Sequence, residues 1–460
     1  MFSFIPTVRY ALLALGLVFY LAAGPAQSQS QDPPQTPTQT PTQSPLDFVH
    51  EQLANGLSVF VIPNQAFPLV HHSIWYRVGS VDETSGKTGL AHLAEHMMFM
   101  GTTAFPKGEL DRFVRASGGQ HNAGTSNDYT VYHQTGAPQD LSTLMAIEAD
   151  RMMNQGVDPV ALESERDVVL DERRRRMDLD PYHEVRIALQ RALFGTHPYA
   201  REVIGSREDI IAITASDVRD WFDRWYNPGG AVVVIAGQVE PAQALELARR
   251  HYGALPAHTP TRADHRVLPD LTQQDVHMSL PGSAPPVWLR TYRADRTLDV
   301  SPAVLTVLGR ALLAPTSAPV RTLVYETGQA GYLGASYNLR TFAHQLSISS
   351  EVRRKDDLQD VIDRVDAHLE KVRAGAVGPD VLAGVKKTLR VWLETQRDSV
   401  IGPANLLGEA IIQGLSPSQI RTFAQDVDAV TAQDLARAAR LLLREDHQVD
   451  LFLSFTDGPE

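Results

Sequence analysis

Two histidines and a glutamate lie close together in the stretch GLAHLAEHMMFMG (89–101). On a helix His92 and His96 are one turn apart on the same face, so both imidazoles can bind one metal ion. Glu95 is placed between them so that it can reach water at the metal without being a ligand. The apolar run that follows predicts a buried helix, in which two histidines require a partner. Two surface histidines beside an unrelated glutamate are the alternative interpretation.

A catalytic zinc site needs a third protein ligand and an open position for water. The chain has no cysteine, so this ligand must be another histidine or a carboxylate. The segment DPVALESERDVVLDERRRR (158–176) predicts a long helix with Glu165 and Glu172 two turns apart on one face. One of them can bind the metal while the other supports a ligating histidine from outside. Spacing alone leaves Glu165, Glu172 and Glu163 open.

These motifs resemble those of the pitrilysin/insulinase metallopeptidases over nearly the whole mature chain. The likeness rests on Gly-Leu-x-His-Leu-x-Glu-His, followed further along the chain by Glu-Arg-x-Val-Val-Leu-x-Glu. It is greatest for the short two-domain members, which include bacterial peptidases and the mitochondrial processing peptidase. The resemblance implies that His92, His96 and Glu172 bind one Zn²⁺ per chain. It also implies that Glu95 is the general base and that Glu165 supports the ligands from outside.

The resemblance also indicates where substrate binds. The segment GGQHNAGTSNDYTVY (118–132) resembles an exposed edge strand to which substrate adds as a further strand, with Asn122 and Ala123 at the contacting positions. Pairing at a sheet edge binds peptides through the backbone and tolerates many sequences. A plain hairpin with glycine at its bend is the alternative. Another family-like stretch, GTHPYAREVIG (195–205), is expected to have only a structural role.

The second half of the chain departs from the family pattern. In LVYETGQAGY (323–332) Tyr332 occupies the place of a substrate-holding tyrosine, but Tyr325 occupies the place of an arginine seven residues before it. Arg321 lies four residues earlier, at the wrong helical phase to substitute. We therefore expect a heterodimer with a family-like subunit that lacks zinc but has the Arg/Tyr pair, enclosing a chamber for peptides. A homodimer and a monomer remain as alternatives.

The predicted function is zinc-dependent endopeptidase activity on peptides or unfolded segments. In this chemistry zinc polarises the scissile carbonyl and activates water, while Glu95 takes the water proton and passes it to the leaving amine. A non-catalytic binding or assembly subunit that retains the fold is the alternative, and the missing arginine favours it. Ligand types alone do not separate zinc from manganese or cobalt.

Internal similarity predicts that the chain is a duplication. ITASDV (213–218) is echoed by VTAQDL (430–435), and in each a threonine precedes an aspartate by three residues, as at a capped helix start. A second echo pairs positions 157–169 with 377–389, at nearly the same offset along the chain. Two echoes in the same order at nearly one offset indicate two homologous halves.

The second copy does not repeat the metal motif. At the offset of the second echo, Glu165 and Glu172 correspond to Val385 and Trp392, neither of which can bind a metal ion in the same way. The C-terminal half has no His-x-x-Glu-His sequence. It is therefore predicted to be an inactive homologue of the first half.

The predicted fold class is α+β, with two homologous domains that each consist of an antiparallel sheet covered by helices. In the first half the pattern predicts adjacent pairs of strands and separate long helices. The strands are expected near 57–63, 69–78, 121–126 and 129–135, and the helices near 89–99, 138–154, 158–176, 182–194 and 215–225. The zinc-bearing domain is predicted at 47–253, a polar, proline-rich linker at 254–282, and the inactive domain at 283–460.

Composition excludes several other classes. The 42 Lys and Arg residues against 54 Asp and Glu give a net charge of −12, which provides no excess of basic charge for nucleic acid. Hydrophobic residues make up 43% and charged residues 21%, the balance of a globular protein. The absence of cysteine excludes disulfides and thiol catalysis.

The N-terminal residues predict export. Arg9, an apolar run at 10–24 and the small-x-small site Ala-Gln-Ser at 26–28 indicate a signal peptide over residues 1–28. Residues 29–46 are rich in Gln, Thr and Pro and predict a disordered tether. Retention of the segment as an anchor is the alternative. No other apolar run is long enough to span a bilayer, so we expect a periplasmic protein without membrane contact after cleavage.

Overall fold

The computed structural model describes residues 46–271 and 274–456. The predicted signal peptide and nearly all of the predicted tether lie outside the described residues. The strands are β1 (Val49–Gln52), β2 (Ser58–Pro63), β3 (Val70–Tyr76), β4 (Gln120–Thr125), β5 (Thr130–Gly136), β6 (Ala231–Gly237), β7 (Asp275–Pro281), β8 (Val287–Asp295), β9 (Ala330–Leu339), β10 (Ala343–Val352) and β11 (Gln448–Thr456).

Helices connect these strands and cover both sheets. The first half contains α1 (Leu90–Met97), α2 (Glu109–Ala116), α3 (Leu141–Asn154), α4 (Pro159–Arg173), α5 (His183–Phe194), α6 (Arg207–Ala212), α7 (Ala215–Trp225) and α8 (Pro241–Tyr252). The second half contains α9 (Pro302–Ala311), α10 (Ala318–Val320), α11 (Leu358–Arg373), α12 (Pro379–Thr395), α13 (Ile401–Ile412), α14 (Pro417–Ala429) and α15 (Ala432–Leu442). Within the described ranges, none of them has the length and apolarity to cross a bilayer.

The strands form two sheets, one in each half, and the predicted α+β fold class is confirmed. The first sheet has the order β1-β2-β6-β3-β5-β4 and the second has the order β7-β11-β8-β10-β9. Most neighbours are antiparallel, as predicted, but β2 pairs with β6 and β7 with β11 in parallel. Each parallel pair joins strands that are distant in sequence, and the intervening helices provide the long crossover that parallel pairing requires.

The predicted duplication is visible in both the topology and the helix caps. Apart from β1, the two sheets have the same order of strands, with β7 and β11 in the places of β2 and β6. At α7 the Thr214 hydroxyl accepts from the Asp217 amide, and the Asp217 carboxylate accepts from the Thr214 amide. Thr431 and Asp434 form the same capping box at α15. The two echoes in the sequence therefore mark equivalent elements.

Two boundaries differ from the prediction. Strand β7, Asp275–Pro281, lies inside the predicted linker 254–282 and forms the first strand of the second sheet. Its alternation of exposed and covered side chains is typical of a strand with one solvent face. At the other end, Leu46 of the predicted tether is buried with Phe48 in an apolar cluster. Apolar contacts therefore extend the folded body at both places.

The two halves exchange one helix each, in the sense that each half contributes a helix that packs on the sheet of the other half. Helix α5 of the first half packs on β7 and β11 of the second sheet, in a cluster with Val276, Leu289 and Leu451. Helix α13 of the second half packs on β3 and β6 of the first sheet. Successive side chains of β6 point to opposite faces of the sheet. Val233 faces the helices of its own half, and Val234 faces α13. Both faces of the sheet are therefore apolar, and each is covered by helices.

Close contacts hold α13 on the first sheet. A methyl group in place of the Gly408 hydrogen would lie 2.3 Å from Cε2 of Trp75, so only glycine permits this approach. At the end of the helix, Arg77 Nη1 donates to the carbonyls of Ile411 and Ile412 at 3.0 and 3.1 Å. The last carbonyls of a helix lack the usual partner four residues ahead; the Ile411 carbonyl also accepts from the Gly414 amide at 3.1 Å, and the guanidinium binds both carbonyls from the other domain.

Candidate metal centre

Helix α1 presents the histidines of the predicted motif from a buried position. It begins after Gly89, which adopts a left-handed conformation with φ of 88°. The carboxylate of Glu83 accepts from the Ala91 amide at 2.8 Å and so satisfies one of the free donors at the helix start. His92 is buried and His96 is half-buried. The helix packs against α4 and α7, and these contacts fix the rotation of α1 about its own axis.

The third member of the cluster comes from α4. One nitrogen of His92, one nitrogen of His96 and one carboxylate oxygen of Glu172 all lie within 4.8 Å of one another. Oε2 of Glu172 lies 3.8 Å from Nε2 of His92 and 3.4 Å from Nε2 of His96. The structure therefore brings together the three residues that the family resemblance selected, from two helices that are far apart along the chain.

These residues fit a zinc ion. Two imidazole nitrogens and one carboxylate oxygen are the donor set of many catalytic zinc sites. Donors about 2.0–2.2 Å from one tetrahedral ion lie roughly 3.3–3.6 Å from each other. The separation of 3.4 Å between His96 and Glu172 agrees with this spacing, and the 3.8 Å between His92 and Glu172 is slightly wider.

Glu165 lies on the outer side of His96. Its Oε2 is 3.4 Å from His96 Nδ1, while Nε2 of the same ring faces Glu172. A carboxylate on the outer nitrogen of a ligating histidine fixes the ring orientation and its tautomer. By contrast, the Nδ1 atom of His92 is buried and has no hydrogen-bond partner within the part of the chain that the structure describes. Glu165 thus occupies the position that the sequence analysis proposed for an outer supporting residue.

Glu95 lies beside the cluster and is held by the neighbouring strand. Its Oε2 accepts from the hydroxyl of Thr125, on β4, at 2.6 Å. The side chain is buried, and burial raises the pKa of Glu95 above its ordinary value, although the Thr125 bond opposes the change. A carboxyl group with a raised pKa is a better proton acceptor at neutral pH than an exposed one.

The two imidazoles of the cluster differ in the direction of their pKa shifts. Burial, reinforced by the nearby His96, lowers the pKa of His92 to about 4. For His96, burial acts in the same direction, but the hydrogen bond with Glu172 and other nearby carboxylates outweigh it and raise its pKa. The same hydrogen bond lowers the pKa of Glu172. Positive charge is thus stabilised between His96 and Glu172, and a bound cation would displace that proton.

Three further residues contact the cluster or the carboxylates beside it, Glu95 and Glu165, and no role at the site was predicted for them. They are Thr125, which holds Glu95, Arg176, whose Nη1 is 2.8 Å from Glu172 Oε1, and Lys107, whose Nζ is 3.7 Å from Glu165 Oε1. The spacing of Arg176 four residues after Glu172 is a helical pair that the sequence displays. Thr125 and Lys107 approach through the fold of β4 and of the loop after α1, which no local pattern reveals.

The predicted substrate strand forms the edge of the first sheet. β4 pairs with β5 on one side only, so residues 120–125 present backbone groups at the sheet edge. Asn122 is exposed, whereas Ala123 is half-buried against the core. Asn122 Oδ1 accepts from the Ala123 amide at 2.9 Å. Their contact with substrate stays a prediction.

The predicted residues of the second half lie in the other domain. Tyr332 is on β9, the edge strand of the second sheet, and is 43% exposed. Tyr325 is 68% exposed on a π-helical turn (Arg321–Glu326). Arg321 lies at the start of the same turn, and its Nε is 3.3 Å from Glu326. Arg321 is therefore paired within its own turn, and the substrate role of Tyr332 stays a prediction.

Comparison with known protein families agrees with this architecture. The family model for insulinase, peptidase family M16, matches residues 59–207. The model for the M16 inactive domain matches residues 212–389. Together they define a two-domain protein of the M16 type, with His92, His96 and Glu172 in the first domain. The chain belongs to the M16 family, which includes insulinase and pitrilysin.

Individual relatives give the same result. The zinc protease PqqE of Helicobacter pylori is 32% identical over 204 residues, which are 44% of this chain and 46% of that protein. The matched part thus spans just under half the length of that relative. The β subunit of the mitochondrial-processing peptidase of Blastocladiella emersonii is 27% identical over 406 residues, 84% of each chain.

A solved structure shows the same fold. The periplasmic protease PqqL from Escherichia coli superposes with a TM-score of 0.75 and 21% identity. The match covers 90% of this chain and 48% of PqqL, whose chain is therefore about twice as long. At this identity the match supports the two-domain fold alone.

Proposed function

We propose that this chain is a zinc-dependent endopeptidase that hydrolyses peptides or unfolded segments. The observation that supports it best is the convergence of His92, His96 and Glu172 within 4.8 Å, with the buried carboxylate of Glu95 beside them. Relatives in the family are zinc proteases. A purely structural protein has no need for three converging ligands together with a buried carboxylate held by a hydroxyl.

The chain's own residues divide the work of peptide hydrolysis. His92, His96 and Glu172 would hold one zinc ion, which when bound supplies Lewis-acid polarisation of the scissile carbonyl and activation of water. Glu95 would accept the proton of the attacking water and return it to the leaving amine nitrogen. Thr125 holds the Glu95 carboxylate in place through its 2.6 Å hydrogen bond.

Substrate would be held by the edge of the first sheet. An extended peptide alongside β4 would gain backbone hydrogen bonds near Asn122 and Ala123. Thr125 is on the same strand and bonds to Glu95, so a peptide bound there would lie near the proposed base. Recognition of the backbone favours extended peptides and unfolded segments over folded proteins.

The decisive experiment is hydrolysis of a quenched-fluorescence peptide pool by the zinc-loaded protein and by Glu95→Gln. We expect the substitution to lower the rate by about 10²–10⁴-fold while one zinc per chain remains bound. Glu163→Gln, an exposed position on α4, is the matched control and should keep full activity. Equal activity of Glu95→Gln and the unsubstituted protein would refute the assignment of the base.

We also propose a second M16-like subunit as a partner. Tyr325 occupies the position at which active relatives are expected to have an arginine, so one chain would provide only part of the substrate site. PqqL, about twice as long, could contain two such halves in one chain. If the purified chain alone cleaves peptides at a rate that no added subunit increases, the heterodimer is excluded, and sedimentation then distinguishes a homodimer from a monomer.

The proposed location is the periplasm. The segment at residues 1–28 has the pattern of a signal peptide, and the similar protease PqqL is periplasmic. Fractionation of cells that express the full chain, followed by mass determination of its N-terminus, tests both export and cleavage. A cytoplasmic product that retains residue 1 would contradict the proposal.

A non-catalytic binding or assembly subunit is the second candidate function. The observation that favours it is Tyr325, because a subunit without the expected arginine would be impaired in stabilising negative charge on the substrate carbonyl. This function predicts peptide binding without cleavage, both alone and in the assembled complex. The comparison of Glu95→Gln with the unsubstituted protein separates the two functions.

A further inference from the structure

The segment at residues 195–205 contacts both the first domain near α1 and the second domain. Arg201 Nη1 donates to the Glu83 carbonyl at 2.9 Å, and the Glu83 carboxylate in turn caps α1. Gly205 packs so closely on the residues before α1 that a methyl group there would lie 2.4 Å from the Gly89 amide nitrogen. The segment therefore contacts the start of the helix that bears His92 and His96.

Within this segment, Tyr199 connects hairpins of the two domains. Its side chain is buried, and its hydroxyl donates to Asp128 Oδ1 at 2.5 Å. The same hydroxyl accepts from the amide of Phe342 at 3.1 Å. Asp128 Oδ2 accepts from the amide of Thr341 at 3.2 Å. One hydroxyl and one carboxylate thus bind two consecutive amides in the turn between β9 and β10.

Charged and aromatic side chains enclose this contact, which we call the Tyr199–Asp128 junction. Arg262 forms two hydrogen bonds with the Asp82 carboxylate at 2.7 and 2.8 Å, and its Nη2 donates to the Asp128 carbonyl at 3.1 Å. The Arg262 guanidinium also lies 5.1 Å from the centre of the Phe342 ring. Because buried hydrogen bonds of charged groups are strong and directional, the junction fixes the relative position of the two turns.

The junction is linked to the proposed base through the turn between β4 and β5. Asp128 lies in the turn between β4 and β5, three residues after Thr125, which bonds to Glu95. The turn on the other side of the junction follows β9, the strand on which Tyr332 lies. A chain of direct contacts therefore runs from the proposed base, through the turn of the substrate strand, to the second domain.

We propose that Asp128 and Tyr199 are positioning residues that fix the β9–β10 hairpin of the second domain against the β4–β5 hairpin, so that a peptide bound along β4 is held against both domains. This inference rests on the proposed function, since it assumes that peptides bind at β4. Loss of the junction would loosen the second domain relative to the substrate strand and weaken peptide binding. It would leave the zinc ligands in place.

The first test is hydrogen exchange in the Tyr199→Phe protein, which keeps the ring and removes the hydroxyl. We expect the amides of Thr341 and Phe342 to exchange at least about tenfold faster than in the unsubstituted protein, with zinc content unchanged. The matched control is Tyr252→Phe, which removes another buried hydroxyl, bonded to His72 Nε2 at 3.0 Å, and should not alter these amides. Unchanged exchange in Tyr199→Phe would refute the junction.

The second test is peptide binding, which does not depend on catalysis. Binding of a fluorescein-labelled unfolded peptide is measured in the Glu95→Gln protein with and without Tyr199→Phe. We expect the Kd to rise about tenfold with Tyr199→Phe and to stay constant with Tyr252→Phe. Asp128→Asn keeps the shape of the side chain and loses one acceptor, so it should raise the Kd by less. It is the variant to measure if the Tyr199→Phe protein does not fold.

The two tests separate this inference from the proposed function. If Glu95→Gln does not abolish hydrolysis, the role of the base is wrong, while the binding comparison remains valid. If Tyr199→Phe accelerates exchange without weakening binding, the junction is purely structural and the positioning role is wrong. The positioning role is also wrong if the Glu95→Gln protein binds no peptide, or if Tyr252→Phe lowers the affinity for peptide as much as Tyr199→Phe does.

Discussion

The two domains have nearly the same order of strands, but within the part of the chain that the structure describes only the first brings three candidate metal ligands together. At the position of Glu172, the second domain has Trp392, whose ring centre lies 5.5 Å from the guanidinium of Arg310. At the position of Glu165 it has Val385, which is buried in the second core. Where the first domain has two carboxylates, the second thus has side chains that pack against their neighbours. The fold does not depend on the cluster, and the cluster is an addition to it.

The equivalent helices also differ in how much apolar surface they bury. Helix α4 of the first domain buries only Leu162 and Val169. Its counterpart α12 buries Val385, Leu389 and Leu393. Since each buried aliphatic side chain contributes about 1.5–3 kcal/mol, the first domain has less apolar stabilisation at this helix. A helix that directs two carboxylates toward His92 and His96 has fewer positions left for the core.

The largest expected effect that tests this comparison is on metal affinity. Substitution of Glu172 by Gln removes a negative ligand, so zinc affinity should fall by more than about 100-fold, beyond the loss typical of an outer supporting residue. The equivalent change in the second domain, Trp392→Phe, should leave one zinc per chain. Titration with zinc against a competing chelator measures both. If Glu172→Gln binds zinc as tightly as the unsubstituted protein, Glu172 is not a zinc ligand, and the two domains do not differ in metal binding at this position.

A smaller effect is expected at Glu165. Substitution by Gln weakens the support of His96 Nδ1, and zinc affinity should fall by about 10–100-fold. Glu163→Gln on the same helix is the control, because Glu163 is exposed and should have no effect. The same chelator competition measures the change. If Glu163→Gln lowers affinity as much as Glu165→Gln, the outer support of His96 has been assigned to the wrong residue.

Helix packing between the domains should affect stability rather than the metal. Gly408→Ala places a methyl group against Trp75, and the free energy of unfolding should fall by about 1–3 kcal/mol. Gly384→Ala, on an exposed part of α12 with no neighbour within 4 Å, should instead raise it by about 0.5–1 kcal/mol. Urea unfolding measures both changes. A stabilising effect of Gly408→Ala would show that α13 packs more loosely than the structure indicates.

Both domains should lose stability in mild acid, in part through a buried histidine in each sheet, His71 in the first and His344 in the second. Burial, with His133 nearby, lowers the pKa of His71 to about 3, and burial, with Arg296 nearby, lowers that of His344 to about 4. Both folded pKa values lie below the ordinary value of about 6.5, so the unfolded chain binds more protons. Their contribution is complete above about pH 6.5 and is lost as the pH falls toward the folded pKa values.

Urea unfolding at pH 7 and pH 5 checks this prediction, with chelator present so that metal release does not contribute. Each histidine should account for a decrease of about 1–2 kcal/mol in the free energy of unfolding at pH 5. His71→Gln and His344→Gln should each reduce the pH dependence. If neither variant changes it, other groups determine the acid sensitivity of both domains.

The sequence predicts well those features that depend only on residues close together along the chain. The capping pairs Thr214/Asp217 and Thr431/Asp434 marked equivalent helices because a cap depends only on neighbouring residues. Helical spacing similarly placed His92 and His96 on one face. The choice of Glu172 over its neighbours came from family resemblance, since two turns of helix present several carboxylates with the same geometry.

Features that depend on tertiary contacts were not predicted. The sequence pattern predicts a helix near 182–194, but it does not show that α5 and α13 each cover the sheet of the other domain. Thr125 was not identified because its contact with Glu95 requires β4 to lie beside α1. Strand β7 was missed although its pattern alternates, because the proline-rich residues before it resembled a linker.

The exchange of α5 and α13 has a consequence for the origin of the chain. Before duplication, a single-domain ancestor with this helix would have left one face of its sheet uncovered. It could have covered that face only with the helix of a second copy, as in a domain-swapped dimer. Fusion of two such copies in one gene would convert the intermolecular exchange into an intramolecular one. One copy could afterwards lose its metal ligands and still be retained, because its helix remained indispensable to the folding of the other.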